Sequence, residues 1–574
     1  MNKVNAMLKF LSRTIIQISK SKNGLVIIII FNIFIFPFYD INAANNKSII
    51  IDLQTTVVDG EIAPFNQLIP GDTLLINTGT RSSLMIKNVF GSSEKPITII
   101  NNKGLVIVNT SNYYGISIRN CSYFRLSGSG DSQHRYGIQV TRVKNGSGVG
   151  IGERSTDFEV DHISIQNTLI GGLYVKTDPN CTTPSTREKF TQYNTVIHDN
   201  YIARTGNEGM YIGSSNYTGE TFNCNGKDTI LMPPLLEGVK IYNNIIEYAG
   251  WDGIQVSSAS KDCQIYLNTI LYDSQDEHYA QMSGILIGGG TKGDCFNNFI
   301  AYGKGNGIES HGLGGSRIFN NIIVNPGKTF KPLDSNERKH GIFVTDVSVI
   351  PDSSFYIVHN NIINPKSDGI RFQSSISKNN LIASNLIINP GNFNLYEFGN
   401  TYLKGIDSYI MIPHDSADVR QENNFLTLDY EIAGLSDTYE PFPESPLIDN
   451  ASLTGITFDY YNKSRPFGNR SDIGAVEYHD PQSIGNIDLS DKVEFYPNPV
   501  KTQLTIRYNM FNSTSALIKV FNLTGEIVLQ KKRINNSKAI QEFQIDTEGF
   551  VSGMYMFTIE NENKVISGKF IKTE

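Results

Sequence analysis

Glu309 and His311 stand two residues apart in the stretch NGIESHGLGGS. On an extended strand that spacing turns both side chains to one face, where a carboxylate and an imidazole can take up and return a proton. The glycines around them leave a substrate room to approach the backbone. Arg371 opens a comparable strand and is suited to neutralising a uronate carboxylate. A lyase needs that step before a base, here His311 or Tyr211, removes the neighbouring ring proton. Tyr174 and Tyr211 offer aromatic platforms for sugar rings, and Lys176 and Gln255 are further polar contacts. Glu208 and Asp252 each precede a glycine. Paired carboxyls about 5–9 Å apart are what glycoside hydrolysis requires. The same pair could instead hold calcium or cap a turn.

These residues share one positioning element, because the phrases that carry them repeat. HDNYIARTGNEGMYI (198–212), YNNIIEYAGWDGIQV (242–256), FNNFIAYGKGNGIES (296–310) and HNNIINPKSDGIRFQ (359–373) are copies of one sentence. Its second Asn falls at Asn200, Asn244, Asn268, Asn298, Asn321, Asn361 and Asn385. The base interval is about 23–24 residues, lengthened in places by insertions, and a fixed period of that size means a solenoid. Apolar, β-branched residues alternate over three to five positions, and no stretch offers a long apolar helical face. Three short strands per coil, stacked in parallel, satisfy both facts. The repeated Asn is expected to turn a left-handed corner and to form a ladder along the stack. The repeated Gly is expected to supply a second bend where no Cβ fits.

Stacking turns the alignment into rows. The residue after each glycine is apolar and points inward: Leu173, Met210, Ile254, Ile285, Ile308, Ile342 and Ile370. Alternation then sends Tyr174, Tyr211, Gln255, Leu286, Glu309, Phe343 and Arg371 outward. Two positions on, the same face carries Lys176, Gly213, Ser257, Gly288, His311, Thr345 and Gln373. A row ahead of the glycines holds Gly171, Glu208, Asp252, Ser283, Asn306, His340 and Asp368. Glu208 and Asp252 fall on adjacent coils, about 4.8 Å apart along the stack. Long insertions occupy 177–194, 213–237 and 275–283; some should wall a groove beside the rows.

This pattern resembles the right-handed parallel β-helix family of secreted bacterial proteins, over roughly residues 50–480. The opening IPGDTLLINTGTRSSLMIKNVFGSSEKPITIINNKG is similar to the first coils of that family's carbohydrate-active members, and SPLIDNASLTG…NRSDIGAVEY to the tail that often ends them. The resemblance implies an all-β fold but no single reaction, since the scaffold hosts several. The Lys–Arg or Lys–His–Arg set of the family's lyases and the Asp-Pro-His motif of its epimerases are not found. The function expected is therefore lyase or hydrolase action on extracellular polysaccharide, catalysed by Glu309, His311 and Arg371. The rival is a non-catalytic polysaccharide-binding or adhesive surface protein anchored by Tyr174 and Tyr211.

Length and charge bound the rest. A chain of 574 residues is too long for one compact core. Its net charge of -7 argues against a nucleic-acid partner, and a monomer is expected. Lys and Arg residues ahead of GLVIIIIFNIFIFPF, with Ala43 and Ala44 behind, describe an export signal over 1–44, or else a retained anchor. A β-helix over 45–480 and a linker over 481–492 should follow. Five cysteines show no CxxC spacing, which argues against structural zinc. Cys181 and Cys224, each in an insertion after equivalent strands, are the expected disulfide, with separate thiols the alternative. Beyond residue 493, alternating strands with turns at Asn498 and Leu523 suggest a small β-sandwich. YPNP, NLTGE, GMY and a Lys-rich last strand, in that order, resemble the sorting domain of the type IX secretion system. That resemblance implies passage across the outer membrane through that machinery, release or anchoring at the surface, and cleavage of a domain with no catalytic part.

Overall fold

Ile241, Ile246 and Ile254 belong to three short strands of one coil, Lys240–Tyr242, Ile245–Glu247 and Ile254–Val256, and all three side chains are buried. β-Branched residues suit a pleated surface, and each strand aims its apolar residue at one shared interior. The computed structural model describes residues 46–182, 184–331, 338–391, 408–479, 493–509, 515–522, 527–534, 540–560 and 565–573. The expected export signal, the expected linker and the turn at Leu523 lie outside the described residues.

The repeated coils build a right-handed parallel β-helix. One face is a sheet of twelve described strands, from Val57–Asp59 to Ile410–Met411, paired in parallel and in chain order. The other two faces form a 23-stranded array. The long strand Ile97–Thr110 joins them, pairing through Ile97–Ile100 with Phe124–Ser127 and through its far half with Ile138–Val143. Isoleucine, valine and leucine from all three faces fill one continuous interior. Among the described residues the only α-helix is Tyr430–Ala433. The segment that follows it lies against the flank of the helix: Leu447, Ile473 and Val476 bury against Ile322, Ile363 and Leu386. Asn297 Nδ2 donates to the carbonyls of Asp459 and Tyr460 at 3.0 and 3.1 Å.

The asparagine ladder forms, with two corrections. It runs Asn200, Asn244, Asn268, Asn298, Asn321, Asn360, Asn385 and Asn424, each Nδ2 donating to the next Oδ1 at 2.9–3.0 Å. Asn360, not Asn361, holds the sixth position, because Val358 pairs with Phe319 and moves this coil's corner one residue earlier. Asn361 sits in the next strand, opposite Ile322. The ladder residues also do not make the left-handed turn. Their predecessors do: Asn243, Asn297, Asn320 and His359 have φ of 55°, 54°, 53° and 55°.

The glycines are required for a different reason than a bend. None of Gly172, Gly209, Gly253, Gly284, Gly307, Gly341 and Gly369 is in the left-handed region. A Cβ on Gly253 would lie 2.6 Å from the Gly284 carbonyl oxygen and 2.6 Å from Ile270 Cγ2. Close stacking of coil on coil, with an isoleucine beneath, excludes any side chain there.

The C-terminal strands form two antiparallel sheets. Val493–Tyr496, Gln503–Asn509 and Ile540–Asp546 make one, and Ile527–Ile534, Ser515–Phe521, Gly553–Glu560 and Val565–Lys572 the other. Leu504, Ile506, Ile518, Val520, Phe557 and Ile559 pack between them as a small sandwich.

Candidate active site on the twelve-stranded sheet

Backbone register places the outward row as the repeat implies. Tyr174 pairs with Tyr211, then Gln255, Leu286, Glu309, Phe343 and Arg371 follow in unbroken order. The inward residues beside them are fully buried. The pre-glycine row reaches this same outer face: Asn306 Nδ2 donates to Glu309 Oε2 at 2.7 Å, and Arg371 Nη1 to Asp368 Oδ2 at 3.1 Å. Each pair is separated by three residues, so the same relation sets Asp252 beside Gln255.

Three groups of side chains occupy the row. In the first, Tyr174 donates its hydroxyl to Glu208 Oε2 at 2.6 Å, and its ring meets Tyr211 edge-on at 5.5 Å. Lys176 Nζ lies over the Tyr211 ring at 5.1 Å and pairs with Asp178 at 3.0 Å. In the second, Glu309 Oε1 meets His311 Nε2 at 2.6 Å, while Glu309 Oε2 accepts from Ser283 Oγ at 2.9 Å. In the third, Arg371 is held by Asp368 and, with the Gln373 amide turned to present its oxygen, by Gln373 at 3.0 and 3.1 Å. His340 Nδ1 lies 3.3 Å from Asp368 Oδ2.

Asp252 stands between the first two groups. It is fully buried, and neither carboxylate oxygen makes a well-formed hydrogen bond, the Ser283 backbone amide giving it partial support. Gln255 Oε1 and Ser257 Oγ, buried in the same coil, are also unpartnered. A buried polar atom without a partner costs about 1–3 kcal/mol, so such a group in a native fold points to a role. Burial, aided by the charges of Glu208, Glu309 and Asp273, drives the Asp252 carboxyl well above the ordinary aspartate range. Glu208 is also raised, chiefly by burial. Burial pushes Glu309 the same way, but the His311 pair and the Ser283 and Asn306 bonds outweigh it and hold Glu309 below its usual value. Burial thus pushes the Asp252 carboxyl up, while its partners hold Glu309, two coils away, below its usual value.

Calcium needs six to eight oxygen ligands with ionised carboxylates among them. Glu208 already accepts from the Tyr174 hydroxyl, and no third carboxylate is grouped with Glu208 and Asp252 among the described residues. Backbone amides of Glu208 and Ser283 also favour the ionised forms of Glu208 and Asp252. A separate cluster does bring ligand atoms within 4.8 Å: Glu159, Asp161 and His198. Arg125, Ser127, His162 and Asp199 already engage those groups.

The insertions flank the row on opposite sides. Segments 177–194 and 213–237 follow their strands, and the disulfide Cys181–Cys224, Cα–Cα 5.5 Å, ties them together. The Arg187 guanidinium packs over Tyr217 at 4.4 Å within the same wall. The loop at 275–283 precedes its strand, where His278 stacks on Trp251 at 4.0 Å and Glu277 pairs with Lys304 at 2.8 Å. Sequence reasoning assigned no role to Ser283, Asn306, His340 or Asp368, although their row was legible. Their signal was a run of polar residues ahead of the glycine, where a turn alone needs none.

Comparison with known proteins agrees with this architecture. Residues 236–407 match the family described as right handed beta helix region, and residues 494–573 the secretion system C-terminal sorting domain. No curated protein matches the sequence. Among solved structures, pectate lyase Pel9A is similar at 12% identity and TM-score 0.34, over 76% of this chain and 97% of that one. An alginate lyase from Paenibacillus sp. str. FPU-7 is similar at 11% identity and TM-score 0.30, over 67% and 98%. Tailspike protein 2 of bacteriophage CBA120 is similar at 11% and 0.34, over 87% and 72%. The chain is a right-handed parallel β-helix repeat protein with a C-terminal type IX secretion sorting domain. That domain marks it for secretion or display at the cell surface.

Proposed function

We propose that the protein is a carbohydrate-active enzyme that hydrolyses extracellular polysaccharide, with Asp252 as general acid and Glu309 as general base. Carboxyls whose surroundings drive their protonation apart are the signature of paired acid and base roles. The observation that carries the reading is the buried Asp252 carboxyl, without a well-formed hydrogen bond, two coils from the His311-paired Glu309. The coils of Gln255 and Glu309 are two rungs apart, about 9–10 Å. That is close to the 6.5–9.5 Å that leaves room for a water in inverting hydrolysis.

In that reaction Asp252 gives its proton to the glycosidic oxygen as the bond from that oxygen to the anomeric carbon breaks. Water attacks the same carbon from the opposite face and yields its proton to Glu309. His311 holds Glu309 ionised and oriented, and so acts as a positioning residue. Tyr174 and Tyr211 present ring edges and faces to sugar units, with Lys176 and Gln255 as polar contacts. A lyase is the less supported chemistry, because Arg371 is already committed to Asp368 and Gln373. A non-catalytic binding or adhesive role finds support in the Tyr174–Tyr211 platform alone.

The test incubates the purified chain with neutral and uronate-containing polysaccharides. New reducing ends without unsaturated products are expected. Asp252→Asn and Glu309→Gln should each lower the rate roughly 100- to 10,000-fold while binding persists. Unsaturated, ultraviolet-absorbing ends would replace hydrolase by lyase, and retention with no product would leave only the binding role.

A further inference from the structure

The outward row continues past Tyr174 toward the N-terminus through Gly150, Ser117 and Met85. Above it lies a cleft of about 680 Å³ whose floor includes Ser117 and Gly150. Gly150 is the one glycine within a described strand of the helix where a Cβ would meet nothing within 4 Å. It is not in the left-handed region either, so neither crowding nor backbone geometry calls for it. A glycine inside a strand costs stability and marks close approach by a ligand or another backbone, and here no other backbone approaches. Lys87, Arg119, Arg154 and Lys176 line the cleft with Glu153 and Asp178, and Lys87 and Lys176 pair with Asp59 and Asp178 at 2.9 and 3.0 Å. Arg119 pairs with Glu153 at 3.0 Å, and Arg154 reaches Asn120 at 3.5 Å. Tyr174 forms the wall shared with the Glu208 side of the candidate site.

We propose that this cleft is a distal subsite for an anionic sugar residue, bearing a carboxylate or a sulfate ester, of the same chain whose linkage is cut at Asp252. The assignment of the cut rests on the hydrolase reading; the binding does not. Gly150 and Gln255 are three rungs apart, about 14 Å, so one extended chain lying along the sheet reaches both. The floor admits the ring, and four cations against three carboxylates, Asp59 included, leave Arg154 as the cation without a carboxylate pair among the described residues to select its charge.

The experiment measures binding of the full chain to a polyuronate, a sulfated galactan and a neutral xylan by affinity electrophoresis at low and high salt. Retention by an anionic glycan is expected, weakened by salt because exposed charges are screened, and which of the two is retained identifies the anionic group. Gly150→Leu fills the floor and should weaken binding roughly tenfold, with the melting temperature unchanged because the new side chain points into open space. Arg119→Ser provides the same test without touching the floor. Retention of xylan alone, or wild-type affinity in both variants, would overturn the subsite. If no glycan is cleaved but Gly150→Leu still loses affinity, the hydrolase reading falls and the subsite stands. If cleavage occurs and both variants bind normally, the reverse holds.

Discussion

Asn244 and Asp252 belong to one coil, and both side chains are fully buried. The Asn244 amide is saturated: its Nδ2 donates to Asn268 Oδ1, Ile197 O and Tyr242 O, and its Oδ1 accepts from Asn200. The Asp252 carboxyl, on the next corner, makes no well-formed hydrogen bond. Burial is thus compatible with two economies of polar groups in the same repeat. Where coils stack on identical residues, each group satisfies its neighbour, and the corner is structural. Where the row breaks into unlike residues, a buried group is left without a well-formed bond.

Perturbing each corner should give opposite results. The largest effect belongs to Asp252→Asn, whose expected loss of hydrolysis, roughly 100- to 10,000-fold, comes with no loss of stability. Asn298→Leu should do the converse. It strands the Asn268 amide and the Ile265 carbonyl in the interior, costing about 3–5 kcal/mol by chemical denaturation before any effect on chemistry. A ladder variant that unfolded no more easily than wild type would erase the contrast.

Smaller shifts sharpen it. Gln255→Leu removes an oxygen that makes no bond, so stability should change by less than about 1 kcal/mol while substrate affinity falls. The pH dependence carries a definite sign. Asp252 holds its proton more tightly folded than unfolded, so its contribution to stability is present at acid pH and lost as pH rises above the ordinary aspartate range. Asp472, pushed up to about 7 by burial and by Glu477, acts in the same direction between about 4 and about 7. Asp252→Asn should therefore flatten part of the fall in melting temperature with rising pH. An unchanged slope would mean the carboxyl is ionised.

The sequence carried the rows but not their occupancy. Period and alternation were enough to pair Tyr174 with Tyr211 and Glu309 with Phe343, because a one-residue slip would have sent isoleucines to solvent. The same logic missed Asn360 by one residue, since His359 took a left-handed corner that asparagine takes elsewhere. Partnerships across coils were not legible. Asp368 capturing Arg371, and Tyr174 capturing Glu208, depend on side-chain reach rather than spacing. For the same reason Asp252, whose importance lies in contacts it does not make, looked like any acidic residue before a glycine.

The acid role of Asp252 requires a protonated carboxyl in the resting protein. Difference infrared spectroscopy of wild type against Asp252→Asn at neutral pH reads it directly. A protonated-carboxyl stretch present in wild type and missing from the variant is the predicted result; a difference spectrum holding only carboxylate bands would contradict it.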